Sequence, residues 1–127
     1  MGAAALVTLA GGTLAQAVAA ASMAMQSMIG LVCDPVANRV EVPCLGKNVM
    51  AAANALSCAN MALAGYDPVI PLDEVIETAK QVAKQMPREL RCTNLGGLSI
   101  TPTSIALEEK LAAKRAASCG SGCGCGS

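Results

Sequence analysis

Residues 33–44 read Cys-Asp-Pro-Val-Ala-Asn-Arg-Val-Glu-Val-Pro-Cys, and this stretch parts two unlike regions of the chain. More than thirty residues without a charged side chain precede it, and helical patterns broken by short turns follow it. Pro35 lies two residues after Cys33, and Pro43 directly precedes Cys44. Each proline fixes its own φ and turns the residue ahead of it away from helical backbone. The stretch is therefore expected to be a rigid loop presenting two thiols, each at the edge of an apolar helix. Thiols held in this way suit a metal ion or an iron–sulfur cluster, while the spacing alone reads equally as two buried thiols.

On the N-terminal side, residues 2–29 read as helix, rich in alanine and broken or kinked at Gly11-Gly12. An uncharged run longer than about eighteen residues also fits a transmembrane span. Thr8, Thr13, Gln16, Ser22, Gln26 and Ser27 interrupt it, and the aromatic and basic flanks of a membrane helix are missing. A central helix buried on all faces is the favoured reading. Such a helix needs neighbours all around it, and the helices that follow are too few to supply them. The chain is thus expected to begin inside a larger domain.

On the C-terminal side, residues 47 to about 64 read as a largely buried helix ended by Gly65, with Asn48, Asn54 and Asn60 as polar groups in need of partners. Asp67-Pro68 and Pro71 mark a turn. Residues 73–86 form an amphipathic helix with Val75, Ile76, Ala79, Val82, Ala83 and Met86 on one face. Its acidic residues come first and its lysines later, which suits the helix dipole. Pro87 ends it. Residues 88–102 are irregular, and Gly96-Gly97 allows close backbone approach. Thr103 or Ser104 is placed to cap a last helix reaching about Ala117. Residues 118–127, SCGSGCGCGS, read as a flexible tail. The fold class is all-α, a helical bundle-like domain over residues 1–117 whose helices are joined by the cysteine loop.

Composition narrows the function classes. The 127 residues carry nine basic and nine acidic side chains, one Tyr, and neither Phe nor Trp. Without a basic footprint or stacking platforms, nucleic acid is not the expected partner. No histidine is present, which removes Ser-His-Asp and Cys-His catalysis and every zinc site that uses histidine. Seven cysteines, with no basic-flanked secretory leader, point to a reducing cytoplasmic setting in which thiols serve metal or redox sites. Cys58 reads as a small buried residue and Cys92 as a packing residue. Cys119, Cys123 and Cys125 belong either to an unstructured tail or to one that folds back to supply a metal ligand.

Five segments carry a family likeness: GLVCDPVANRVEVPC (30–44), KNVMAAANAL (47–56), ANMALAG (59–65), VIPLDEVIETAKQV (69–82) and LRCTNLGGLSITPT (90–103). Over roughly residues 1–106 the chain resembles the C-terminal part of the catalytic domain of the iron–sulfur-dependent L-serine dehydratase (L-serine ammonia-lyase) alpha chain. The resemblance implies an all-helical catalytic domain and a [4Fe–4S] cluster held by three cysteines, with no pyridoxal phosphate. Two of the three match Cys33 and Cys44, and the third is expected upstream of this chain. Asn38-Arg39 stands where the family more often has glycine and an apolar residue. The implied reaction converts L-serine to pyruvate and ammonia, with an open iron as Lewis acid. Lys47 and Asn48, just after the loop, are placed to meet the substrate carboxylate, and no residue suggests itself as the base. The remainder of the domain, a beta-type chain or a second copy is the implied partner.

Three other readings compete. A related cluster lyase acting on L-cysteine would use the same loop. A helical assembly or membrane protein would keep its cysteines for structure. A metal-storage or redox module would depend on the tail thiols.

Overall fold

The computed structural model describes residues 1–120, with side chains described to Ala117. Regular structure among these residues is entirely helical: α1 (Gly2–Leu9), α2 (Leu14–Gln26), α3 (Cys44–Leu63), α4 (Leu72–Gln85) and α5 (Pro102–Gly120), with short 3₁₀ turns between them. The chain divides into two compact units. The first comprises Met1–Leu31 and Leu45–Pro87, and the second comprises Val32–Cys44 with the described residues from Arg88 onward.

In the first unit the expected break falls where two glycines stand together. Gly11 takes left-handed backbone at φ +77°, and a Cβ on Gly12 would lie 2.5 Å from Val7 Cγ1 and 2.9 Å from Leu63 Cδ2. The chain can therefore turn tightly against α1 and α3 only with glycine at this point. Thr13 then starts α2 with a reciprocal cap: its hydroxyl accepts from the Gln16 N–H, and Gln16 Oε1 accepts from the Thr13 N–H. The core joins Ala3, Val7, Ala17, Ala20, Met23, Cys58, Ala59 and Ala62. Alanine at most of these positions lets the helix axes approach closely, because the contact distance follows the side chains.

α3 ends as Gly65 requires. The Tyr66 N–H donates to Met61 O and the Gly65 N–H to Ala62 O, with Gly65 at φ +83°. α4 carries Asp73 and Glu74 in its first turn and Lys84 in its last, buries Val75, and half-buries Ala79, Val82 and Met86. Ile76 and Ala83 are exposed. Met86 is extended, as a residue before proline should be.

Burial departs from expectation in α1, α2 and α3. Leu9 is 84% exposed and Leu14 82%. On α3, Leu45, Val49, Ala52 and Leu56 are exposed and recur at helical spacing, so they form one uncovered apolar stripe. Only Cys58, Ala59 and Ala62 of that helix are buried. α1 and α3 each leave one side exposed, whereas α2 has no exposed residue from Ala19 to Gln26 and is covered all round there. Asn48 and Asn60 accordingly face solvent, while Asn54 donates to Ala24 O at 3.0 Å.

In the second unit, α5 opens with Pro102 at its first position, where a missing N–H costs nothing. The capping side chain is Thr101, whose hydroxyl accepts from the Ser104 N–H at 3.3 Å. Neither Thr103 nor Ser104 caps the helix, because the Ser104 hydroxyl is engaged elsewhere. The helix runs past Ala117 to Gly120. The tail positions Cys119, Cys123 and Cys125 lie outside the residues whose side chains are described. No helix among the described residues is long and apolar enough to cross a membrane.

Candidate functional site

The cysteine loop is irregular, as its prolines require, and is closed across its base. The Val36 N–H donates to Val42 O at 2.8 Å, and the Val42–Pro43 peptide is cis. Between these points Ala37 and Asn38 both take left-handed backbone, at φ +49° and +56°. Asparagine tolerates this region because its short amide bonds locally, whereas alanine has no such compensation. Asn38 Oδ1 accepts from Asn94 Nδ2 at 3.0 Å, and Asn94 is itself left-handed at φ +57°.

A second segment, residues 90–104, runs alongside the loop and is bonded to it along its length. The Cys33 N–H donates to Leu90 O at 3.0 Å. Asp34 is 4% exposed, and its Oδ2 accepts from the Leu98 N–H at 2.9 Å. The Ser99 hydroxyl donates to Pro35 O at 2.9 Å, and the Ser104 hydroxyl accepts from the Ala37 N–H at 3.0 Å. Gly97 makes this approach possible. It sits at φ +62°, and a Cβ there would lie 2.7 Å from both Cβ and Oδ2 of Asp34. Gly96 is packed just as tightly, with a notional Cβ 2.8 Å from Glu89 O. The close approach expected at Gly96-Gly97 is therefore to the chain's own backbone and to Asp34.

Cys33 and Cys44 stand at the two ends of this braced loop and are both half-buried. Cys44 is also the first residue of α3. Lys47, half-buried, and Asn48, exposed, follow at the fourth and fifth positions of the same helix, one turn beyond Cys44. Arg39 and Glu41 pair at 3.8 Å on the open surface of the loop, where such a pair contributes little. A cavity of about 460 Å³ lies between the loop and α5, lined by Val36, Val42, Leu107, Leu111, Lys110 and Lys114 among others.

The other described cysteines differ in setting. Cys58 is buried in the first unit, and its thiol donates to Asn54 Oδ1 at 3.5 Å. Burial pushes this thiol above its ordinary pKa, since the thiolate would lose its hydration. Cys92 is exposed.

Soft sulfur donors on rigid backbone match iron or zinc in kind. Among the described residues, however, no three or more cysteine or carboxylate side chains gather closely enough to hold a metal ion. The two thiols fit a cluster in chemistry, and among the described residues no third ligand gathers with them. Asp34, Ser99 and Ser104, which brace the loop, were not evident from the sequence. The one signal pointing to them is the Gly-Gly pair, which announces a close contact without naming its partner.

Residues 1–99 match the family described as serine dehydratase alpha chain. A probable L-serine dehydratase alpha chain of Latilactobacillus sakei is 54% identical over 111 residues, covering 87% of this chain and 53% of the relative. A probable L-serine dehydratase alpha chain of Bacillus subtilis is 50% identical over 111 residues, 87% of this chain and 37% of the relative. L-serine dehydratase 2 of Escherichia coli is 45% identical over 101 residues, 79% of this chain and 22% of the relative. The chain thus spans about half, or less, of the length of these curated relatives. No solved structure matches it.

Proposed function

The chain belongs to the serine dehydratase alpha chain family, and from that premise we propose that it forms part of an L-serine ammonia-lyase in which Cys33 and Cys44 are ligands of a [4Fe–4S] cluster. The observation that carries this reading is the pair of half-buried thiols at the ends of one loop, braced along its length by residues 90–104. A loop held this firmly sets the directions of two donors, as a cluster site requires.

When bound, the cluster supplies a Lewis-acidic iron that makes the substrate hydroxyl a better leaving group. The chain's own residues have other tasks. Cys33 and Cys44, as thiolates, fix the cluster and carry no proton. Lys47 and Asn48, one turn beyond Cys44, orient the substrate carboxylate through an ammonium charge and an amide N–H. The net reaction is L-serine to pyruvate and ammonia. The third ligand and the base come from the rest of the domain or from a beta-type companion chain, since relatives at 54% and 50% identity are named alpha chains. A reducing, cytoplasmic setting keeps the thiols available.

Anaerobic reconstitution of the full-length protein with iron and sulfide tests the proposal. Wild type, Cys33→Ala and Cys44→Ala are compared for bound iron, the visible thiolate–iron absorption, and pyruvate from L-serine. Loss of all three in each variant is expected. Retention of the cluster in either variant would remove that cysteine from the ligand set. Sulfide released from L-cysteine in preference to pyruvate from L-serine would reassign the substrate.

A further inference from the structure

We infer that Ser104 and Ser99 are positioning residues for the two thiols: residues 97–104 form a clamp that holds the cysteine loop in a strained shape and so sets how Cys33 and Cys44 are presented. This rests on the reading of those cysteines as ligands, but the clamp itself is visible independently of it.

The buried polar side chains among the described residues are Ser22, Asp34, Ser99 and Ser104, and the last three all serve this one contact. Burying polar groups stabilises little by itself, but a fully paired set selects one geometry over its neighbours. What it selects here is unusual. Ala37 is left-handed at φ +49° with no glycine or amide to ease it, and Asn38 follows at +56°. Such backbone persists only where its surroundings over-determine it. The Ser104 hydroxyl, 1% exposed, takes the Ala37 N–H, while the Ser99 hydroxyl holds the carbonyl of Pro35 two residues earlier. The two serines therefore grip the chain on either side of Val36, whose own N–H closes the loop onto Val42, two residues before Cys44. Removing the Ser104 hydroxyl takes from the Ala37 N–H the acceptor that holds it. The backbone between the two cysteines is then released.

If Ser104 acts by holding Ala37 left-handed, glycine at position 37, which adopts positive φ without strain, must offset the loss of the hydroxyl.

The test uses the full chain under anaerobic conditions and follows alkylation of each cysteine by mass spectrometry. Cys92, exposed, is the reference; Cys58, buried, reports unfolding of the first unit, and amide hydrogen exchange along α5 reports unfolding of the second. In Ser104→Ala, modification of Cys33 and Cys44 is expected to accelerate roughly fivefold relative to Cys92, the factor for one lost hydrogen bond. Cys58 stays protected. Ala37→Gly in the Ser104→Ala background returns the rates most of the way, and Ser104→Thr, which keeps the hydroxyl, stays near wild type. After reconstitution, Ser104→Ala loses iron faster and shifts the electron paramagnetic resonance of the reduced cluster. Unchanged thiol rates and spectrum in Ser104→Ala overturn the clamp and leave the cluster reading intact. Failure of Ala37→Gly to suppress the change also overturns it. Altered thiol rates in a protein whose wild type takes up no iron support the clamp and reject the cluster. Should Cys58 or the α5 amides lose protection in Ser104→Ala, Ser99→Ala carries the same comparison.

Discussion

Among single residues, two glycines set the clearest expectations. Gly97→Ala adds a Cβ within 2.7 Å of Asp34 and forces a left-handed alanine. It should cost about 2 to 3 kcal/mol and expose Asp34, measurable as a lower denaturant midpoint. Gly46 is the contrast: it lies inside α3 with nothing within 4 Å of a notional Cβ. Gly46→Ala should stabilise by about 0.5 to 1 kcal/mol through the unfolded chain's lost freedom and better helix propensity. The thiol of Cys58 gives a pH dependence. Burial raises its folded pKa above the unfolded value, so its contribution to stability is complete below the ordinary thiol range and is lost as pH rises through the folded pKa. A chemical denaturation series across alkaline pH should show that fall, and Cys58→Ala should remove it. The rigid loop was legible at this scale because proline dictates its own backbone. The partner of Gly97 was not, because Asp34 lies 63 positions away with nothing in the local pattern to link them.

Among the elements, breaks and ends were the legible part. Gly11-Gly12, Gly65 and Pro87 each end a helix by a local rule, and those rules held. α3 begins at Cys44, earlier than its pattern suggested, because the residue after a proline is free to be helical. Burial was harder to read. An alanine-rich helix offers almost the same face on every side, so composition could not say which face meets a neighbour. The cap of α2 is a fair test of the local rules: Thr13→Ala should cost about 1 kcal/mol, seen as a lowered melting temperature. On α4, Val75→Ala removes a fully buried side chain on the amphipathic face and should cost about 2 kcal/mol.

For the molecule as a whole, the apolar stripe of α3 dominates. Leu45, Val49 and Leu56 are 60%, 63% and 53% exposed on one face. Exposed apolar groups arrayed in this way favour association. The isolated chain should therefore elute in light-scattering chromatography above its monomer mass, and replacing these three by serine should restore the monomer. One feature of α3 joins this surface to the chemistry. Its first residue, Cys44, is a proposed ligand, and Leu45 begins the stripe immediately after it. A helix's first turn is where it frays most readily, and cover on the stripe holds that turn shut. On the proposed reading of Cys44, a partner seated on the stripe would therefore be felt as a slower exchange of iron at the loop.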